Sequence, residues 1–311
     1  MDDRELVVVG AGPAGLSAGI YGVRSGLKTL VLEEKTAGGT TADAPMIENY
    51  PGFRSVSGFE LAQKMVAHAK DSGVPVHEFE TVISLDLEAT ERVIRSNKAT
   101  YKTKAVIIAS GSHYRELGIP GEREFRGKGV SYCGLCDGPL FKDKRLLIVG
   151  GGNSALITTL YLAGLASEVK IAHRRDAFRA ETALVEALRK KPNIEVLWNT
   201  EITQIKGEKL VNKAVLLDNN TNTIRELPVD GVFIQVGEDP NSQVAKEAGV
   251  KVNEDGYIIV DKLQRTSIDG VYAAGDVSNH PVKQVGTAVG QGITASVMAY
   301  NHIRRPYYST T

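Results

Sequence analysis

Apolar runs separated by glycine-rich turns form the clearest pattern in the chain. Near the start, Leu6 to Val9 predict a short, fully buried strand. A glycine turn follows, and then a helix over about Pro13 to Arg24 and a second buried strand at Thr29 to Leu32. This order predicts a β-α-β unit with parallel strands.

The same pattern recurs near the middle of the chain. Residues 145–149 predict a strand, Gly150 to Ala155 a glycine turn, the next residues a helix to about Ala166, and 168–172 another strand. Two such units in one chain predict an α/β fold with two Rossmann-like dinucleotide-binding domains.

The remaining elements connect and extend these two units. Residues 91–104 alternate as a hairpin does, and 105–109 form an apolar strand that ends in Ser110 and Gly111. The other predicted elements are strands at 194–199, 209–218, 231–236, 257–261 and 270–276, a linker at 237–240, and a final helix over 286–304.

Composition excludes several classes of partner. With 311 residues, the chain is long enough for two domains, and its 37 Lys and Arg balance 37 Asp and Glu. That balance removes the attraction that nucleic acid or an anionic membrane surface would need. Residues 6–23 carry no charge, but five glycines and Pro13 interrupt the run, and Asp2, Asp3 and Glu5 precede it. A strand, turn and helix therefore explain this run better than a membrane span.

The segment Gly10-Ala11-Gly12-Pro13-Ala14-Gly15 fits the dinucleotide fingerprint G-x-G-x-x-G between a strand and a helix. The first glycine permits the tight turn, the second lets a pyrophosphate approach the backbone, and the third lets helix and strand pack closely. Glu33, at the end of the next strand, can accept hydrogen bonds from a ribose. The competing interpretation is a glycine turn without a ligand.

The second glycine turn is followed by basic residues. Gly150-x-Gly152-x-x-Ala155 meets the same fingerprint with alanine in the third place. Where an acidic residue would bind the ribose of NAD, this chain has His173-Arg174-Arg175, with Arg179 close behind. These cations predict a 2'-phosphate ligand and favour NADPH over NADH. The alternative is a solvated basic patch at a strand end.

The only two cysteines, Cys133 and Cys136, form a C-x-x-C motif. Such a pair can open and close a disulfide within one turn, and so few cysteines fit a reducing, cytoplasmic compartment. A half zinc site and two inert thiols are the alternatives, but no second C-x-x-C and no closely spaced histidine pair accompany the motif, so we expect no metal. Asp137 is a candidate proton donor or acceptor, or else a cap of the next turn.

The motifs occur along the chain in this order: the first glycine turn, Cys133-Gly134-Leu135-Cys136-Asp137-Gly138, the second glycine turn, His173-Arg174-Arg175-Asp176-Ala177-Phe178-Arg179 and Gly275-Asp276. Through these motifs, the chain resembles the low-molecular-weight thioredoxin reductases of bacteria and archaea. The resemblance runs nearly end to end. It implies an FAD domain made of residues 1–114 and 242–311, with an inserted NADPH domain over 115–241 that carries the C-x-x-C. It also implies a homodimer. In each subunit, the NADPH domain would swing against the FAD domain about hinges near 113–117 and 237–240.

The resemblance also implies roles for single residues. The FAD contacts would be Gly10, Gly12, Pro13, Ala14, Gly15 and Glu33 at the ADP half, Gly275 and Asp276 at the pyrophosphate and ribityl chain, and Thr40, Asn49 and Gln284 near the flavin. The NADPH contacts would be Gly152, Asn153, Ser154, His173, Arg174, Arg175 and Arg179. Cys133 would attack a partner's disulfide, Cys136 would sit nearer the flavin, and Asp137 would serve as the acid.

Two departures from the family pattern keep alternatives open. Thr40 stands where many relatives carry a glutamine that reaches the flavin, and Ile157 and Thr158 stand where two glutamates are usual. The leading hypothesis is electron transfer from NADPH through FAD and the cysteine pair to a thioredoxin- or glutaredoxin-like protein. The alternatives are a dithiol oxidase, a disulfide reductase with another donor such as NADH or a deazaflavin, a member of the flavodoxin or ferredoxin reductase branch of the same fold, and a flavin-bound sensor.

Overall fold

The computed structural model describes residues 2–44, 46–87 and 91–304. Its strands, in chain order, are β1 Asp2–Asp3, β2 Leu6–Val9, β3 Thr29–Leu32, β4 Val76–His77, β5 Val82–Asp86, β6 Arg92–Ser96, β7 Thr100–Thr103, β8 Ala105–Ile108, β9 Ser112–Tyr114, β10 Val130–Ser131, β11 Arg145–Gly150, β12 Glu168–Ala172, β13 Ile194–Leu197, β14 Thr200–Gly207, β15 Val211–Asp218, β16 Thr223–Pro228, β17 Gly231–Gln235, β18 Glu238–Pro240 and β19 Val271–Ala273.

The α-helices are α1 Pro13–Arg24, α2 Gly58–Asp71, α3 Gly134–Asp137, α4 Asn153–Leu162, α5 Thr182–Arg189, α6 Gln243–Glu247 and α7 Val285–Arg304. Among the described residues, short 3-10 helices at Gly39–Asp43 and Gly138–Phe141 follow β3 and α3. Within the described chain, no helix is both long and apolar enough to cross a membrane.

The described residues fold into two compact units. Residues 2–44, 48–87, 91–113 and 239–304 form unit 1, while 46–47 and 114–238 form unit 2. Because unit 1 is discontinuous, the chain crosses between the units near residues 113 and 238.

Unit 1 is built on a parallel sheet in the order β4-β3-β2-β8-β19. Its strands are apolar on both faces because both faces are covered. Leu6 and Val8 pack with residues of α1 and α7, whereas the alternate residue Val7 packs with Ile94 and Tyr101 of the small sheet β1-β7-β6-β5. The continuous apolar runs of the sequence are thus explained by double-sided burial.

Unit 2 repeats this arrangement with the parallel order β13-β12-β11-β17-β10. Leu146 and Ile148 of β11 pack with residues of α4, whereas Leu147 packs with Ile205 and Leu216 of the antiparallel sheet β14-β15-β16. In both units the central strand leads into the glycine turn and a helix. The predicted α/β class with two Rossmann-like units is confirmed.

Some predicted boundaries and one predicted strand are wrong. Residues 257–261 form no strand; Ile258 makes isolated bridges to Val252 and Ser278, and neither pairing continues into a ladder. The α4 helix ends at Leu162, short of Ala166, because the last residues form turns there. The predicted linker at 237–240 contains β18, which pairs with β9.

Candidate active site

The first glycine turn brings backbone atoms so close together that side chains would not fit. Gly10 has φ +105°, and a Cβ there would lie 2.3 Å from the carbonyl oxygen of Ala109, which directly follows the neighbouring strand β8. A Cβ on Gly15 would lie 1.8 Å from the oxygen of Gly10, so the helix packs directly on the turn. These contacts explain both glycines by physical necessity.

The start of α1 is an open backbone surface. Gly12 is the N-cap of α1, no side chain caps the helix, and the nearest atom to a Cβ at Gly12 is 3.8 Å away. Pro13 is the first helical residue and has no N–H, so the first-turn donors without an intrahelical partner begin at Ala14. Uncapped amides and a positive helix end form a fitting site for a pyrophosphate.

Glu33 lies beside this turn. Its carboxylate accepts the backbone N–H of Ala11 at 2.7 Å and that of Lys35 at 2.9 Å, one on each oxygen. The following loop closes on the same turn, since a Cβ on Gly39 would lie 2.9 Å from the Cα of Gly12. The carboxylate thereby stands at the carboxyl end of β3, next to the turn, where a ribose would lie.

Asn49 and Gln284 are far apart in sequence but meet in the fold. The amide nitrogen of Asn49 donates to Oε1 of Gln284 at 3.1 Å. Gln284 directly precedes α7. Thr40 is exposed and lies on the 3-10 helix that follows β3.

Gly275 and Asp276 follow β19 at the carboxyl edge of the sheet. The N–H of Gly275 donates to Oε1 of Gln291 at 2.6 Å, and Gln291 is itself buried. Burial raises the pKa of the Asp276 carboxyl, and the ammonium of Lys283 lowers it. Lys283 also donates to the carbonyl oxygen of Asp276 at 3.0 Å. A half-buried carboxyl at this edge is suited to accept hydrogen bonds from hydroxyl groups.

The second glycine turn, in unit 2, is supported from below by a histidine. Gly150 has φ +149°, and a Cβ on Gly151 would lie 2.2 Å from the ring of His173. His173 is buried, and its Nε2 donates to the carbonyl of Ala177 at 3.0 Å. Burial and the nearby arginines lower the pKa of His173, which favours the neutral ring. His173 therefore packs under the turn.

Three arginines follow β12 and interact electrostatically with His173, which packs on this turn. Arg174, Arg175 and Arg179 are exposed, and within the described part of the chain no carboxylate forms an ion pair with them. The backbone N–H of Arg179 donates to the carbonyl of Gly151 at 2.9 Å, which holds the arginine segment against the turn. Gly152 caps α4, no side chain caps that helix, and nothing lies within 4 Å of a Cβ on Gly152.

Asn153 and Ser154 form the first turn of α4. Asn153 pairs reciprocally with Glu181, donating from its amide to Oε1 and accepting from the backbone N–H, both at 2.9 Å. Ser154 is exposed. The side chain of Asn153 is therefore engaged by Glu181, whereas no such hydrogen-bonded pair engages the side chain of Ser154 within the described chain.

Cys133 and Cys136 form a disulfide at the start of α3, and both are half-buried. The N–H of Cys136 donates to Sγ of Cys133 at 3.2 Å, and the N–H of Asp137 donates to the carbonyl of Cys133 at 3.1 Å. Asp137 is placed in the same turn as both sulfurs. Burial raises the pKa of its carboxyl, and a hydrogen bond from Ser131 lowers it. A carboxyl with a raised pKa beside a disulfide is suited to acid–base work.

The sequence matches, over residues 4–292, the family described as pyridine nucleotide-disulphide oxidoreductase. The chain belongs to this family. The thioredoxin reductase of Treponema pallidum (strain Nichols) is 40% identical over 302 residues, which are 97% of this chain and 97% of that protein. That of Bacillus subtilis (strain 168) is 38% identical over 300 residues, covering 96% of this chain and 94% of that protein.

A solved structure agrees with these relatives. The crystal structure of thioredoxin reductase from Streptococcus pyogenes superimposes with a TM-score of 0.92 at 35% identity, covering 97% of this chain and 98% of that one. The resemblance stated from the motifs is therefore confirmed, and this chain is an oxidoreductase of the pyridine nucleotide-disulphide type.

Several residues of this oxidoreductase's site carry no sequence signal. Gln291 and Lys283 shape the Gly275-Asp276 turn, and Ser131 and Gln235 bond to the loop around the cysteines. Neither spacing nor residue type singles them out, because each acts through a contact made only in the folded chain. Within the described residues, no group of three or more His, Cys, Asp or Glu side chains could hold a metal ion.

Proposed function

We propose that this oxidoreductase is an NADPH-dependent thioredoxin-disulfide reductase with FAD as its flavin. The observation that carries the proposal is the Cys133–Cys136 disulfide beside the buried Asp137 carboxyl, in the same unit as a dinucleotide-type glycine turn. Relatives of this length and identity that bear the name thioredoxin reductase support it.

Unit 1 is the proposed FAD-binding domain. Its open turn at Gly12, Pro13 and Ala14 fits a pyrophosphate, since a Cβ at Gly12 would narrow this surface and the first-turn amides have no capping side chain. Glu33 would accept hydrogen bonds from the adenosine ribose, and Asp276 from the ribityl hydroxyls. Asn49 and Gln284 would border the flavin ring, with Thr40 close by. Gly10, Gly15 and Gly275 would allow the backbone to pack closely around the cofactor site.

Unit 2 is the proposed NADPH-binding domain. Gly152 and Ser154 would approach the pyrophosphate, while Arg174, Arg175 and Arg179 would pair with the 2'-phosphate. His173 would serve the site by supporting Gly151, and Asn153 by holding Glu181.

Bound FAD would supply two-electron redox chemistry between the nicotinamide and the Cys133–Cys136 disulfide. The chain's own groups then perform thiol exchange. Cys133 as a thiolate attacks the disulfide of the protein substrate, Cys136 displaces that substrate from Cys133, and Asp137 donates and accepts the protons. Burial of the carboxyl keeps a larger fraction of Asp137 protonated than in an exposed aspartate.

The substrate is a thioredoxin- or glutaredoxin-like protein, and the working form is a homodimer in the cytoplasm. A balanced charge of 37 cationic against 37 acidic side chains supports a protein substrate over nucleic acid or a membrane surface. A single cysteine pair supports a reducing compartment.

Anaerobic mixing tests this function. We expect NADPH to bleach the flavin absorbance rapidly and NADH slowly, and we expect oxidised thioredoxin to restore it. The variants Cys133→Ser and Cys136→Ser should keep the bleaching by NADPH and lose thioredoxin reduction. Bleaching by neither nucleotide would mean another donor or a dithiol oxidase; restoration by thioredoxin in both serine variants would refute the role of the cysteine pair.

A further inference from the structure

Ser131 is a buried hydroxyl that connects the two ends of the redox-active loop. It ends β10 and is 4% exposed. Its Oγ lies 2.6 Å from Oδ2 of Asp137 and 3.1 Å from the backbone nitrogen of Cys133. The N–H of Cys133 donates to Oγ, so the hydroxyl proton remains available for an acceptor.

That proton has two acceptors within reach. Oδ2 of Asp137 is at 2.6 Å and the carbonyl oxygen of Cys133 is at 3.3 Å. When Asp137 is ionised, the shorter, charge-assisted bond is favoured. When Asp137 carries its proton on Oδ1, Oδ2 still accepts the hydrogen bond from the hydroxyl of Ser131. Ser131 can therefore bond Asp137 in both protonation states.

The second carboxyl oxygen is different. Oδ1 of Asp137 is buried and has no hydrogen-bond partner within the described chain. The elements in contact with α3, which are α4 and the 3-10 helix that follows α3, contribute no charged side chain, and only burial and Ser131 shift the pKa of Asp137. Besides the two cysteines, the titratable side chains on α4 and directly before Cys133 are Tyr161 and Tyr132. The hydroxyl of Tyr132 donates to Glu122 at 2.8 Å. Only Oδ1 remains unoccupied for a transferable proton.

We propose that Ser131 is a positioning residue, whose hydroxyl fixes Oδ2 of Asp137 and the main chain of Cys133 so that Oδ1 exchanges the proton with sulfur. The inference rests on the proposed function, in which Asp137 is the acid. A structural role alone, as the side-chain acceptor of a local turn, is the competing explanation.

The exchange conserves atoms and electrons. The thiolate of Cys133 bonds to one sulfur of the substrate disulfide, the substrate S–S bond breaks, and its electron pair leaves on the other sulfur. That sulfur takes the proton from Oδ1 of Asp137. The carboxylate then accepts the thiol proton of Cys136, whose sulfur attacks Cys133, and returns this proton to the second sulfur released.

The test compares holoenzymes of the wild type, Ser131→Ala, Ser131→Thr and Asp137→Asn. The readout is the pH profile of kcat/KM for oxidised thioredoxin, with anaerobic flavin reduction by NADPH as the control for folding and cofactor loading. The hydroxyl of Ser131 lowers the pKa of Asp137. Its removal should therefore move the alkaline limb of the profile upward by about one pH unit and lower kcat/KM on the order of tenfold.

The variants separate the positioning role from a structural one. Ser131→Thr should keep the wild-type limb, and Asp137→Asn should abolish it. If Ser131→Ala lowers kcat/KM equally at every pH and the alkaline limb does not move, Ser131 has a purely structural role. That result would overturn the inference and leave Asp137 assigned as the acid. A wild-type limb in Asp137→Asn would remove the acid assignment itself, and the inference with it.

A second measurement separates the inference from the choice of substrate. The rate at which iodoacetamide alkylates the dithiothreitol-reduced protein, followed against pH, needs neither NADPH nor thioredoxin. Ser131→Ala should shift this profile and Ser131→Thr should not. If the wild type fails to reduce thioredoxin, the proposed function fails, and an alkylation profile insensitive to Ser131→Ala then overturns the positioning role as well.

Discussion

The side chain of Thr158 on α4 occupies the space that a Cβ at Gly134 would need, with Cγ2 of Thr158 only 2.5 Å from that point. Gly134 lies between the two cysteines, so α4 packs directly on the disulfide loop. The hydroxyl of Thr158 also contacts Oε1 of Gln235 at 3.3 Å, and the amide of Gln235 donates to the carbonyl of Tyr132 at 2.7 Å. A position that departs from the family pattern thus supports the loop through packing and through Gln235.

This packing predicts a compensating pair of substitutions. Gly134→Ala should lower the free energy of unfolding by about 1–3 kcal/mol, because the methyl group overpacks against Thr158. Thr158→Ala in the same chain should recover part of that loss. A double-mutant cycle in urea checks the coupling, which we expect to be about 1 kcal/mol or more; additive losses would contradict the contact.

The arginine cluster predicts a change in nucleotide preference. Arg174→Ala with Arg175→Ala should raise KM for NADPH by about ten- to a hundred-fold, because two charge-assisted contacts to the 2'-phosphate are lost. KM for NADH should stay nearly constant. Arg225→Ala, an exposed arginine on β16, is the matched control. Equal losses for both nucleotides would remove the phosphate assignment.

Two neighbouring glycines predict different defects. Gly151→Ala places a methyl group 2.2 Å from the ring of His173, so it should lower both thermal stability and NADPH binding. Gly152→Ala meets nothing within 4 Å, so it should cost at most about 1 kcal/mol of stability and still weaken NADPH binding. Melting curves with nucleotide titrations check both; intact NADPH affinity in Gly152→Ala would argue against a pyrophosphate at this turn.

The buried acid predicts a stability gain with a definite pH dependence. The pKa of Asp137 is raised in the folded protein above its ordinary value of 3.8, so the folded state binds more protons than the unfolded one. The contribution of Asp137 to the free energy of unfolding of the wild type therefore falls as pH rises from the pKa of Asp137 in the unfolded state to its pKa in the folded state. Asp137→Asn removes that loss.

Asp137→Asn should accordingly be more stable than the wild type above the folded pKa, on the order of 1 kcal/mol, with the difference shrinking as pH falls. Urea denaturation at several pH values measures it. Asp230→Asn offers a contrast, because Arg145 lowers the pKa of Asp230 and the amide should destabilise above that pKa. A stability difference for Asp137→Asn that grows toward acidic pH would contradict the buried-acid assignment.

Much of the fold could be predicted from local pattern. Continuous apolar runs such as Leu6–Val9 predicted buried parallel strands because both faces of such strands are covered. The failure at 257–261 has the opposite cause. That segment is an apolar run like that of a buried strand, but its pairing with Val252 and Ser278 does not extend beyond Ile258, and no local pattern reports what lies beside a segment.

For the site, the sequence by itself determined the groups whose chemistry is tied to spacing: the two glycine turns, the C-x-x-C pair, and the arginines after β12. A tight turn requires glycine, disulfide exchange within one turn requires a closely spaced cysteine pair, and a phosphate requires cations, so residue type and spacing identify these groups. Only the tertiary structure decided that Asn49 meets Gln284, that His173 packs beneath Gly151, and that Ser131 bonds Asp137. Hydrogen bonds and packing act over a few ångströms in space, so residues brought together by folding carry no local signature of the contact.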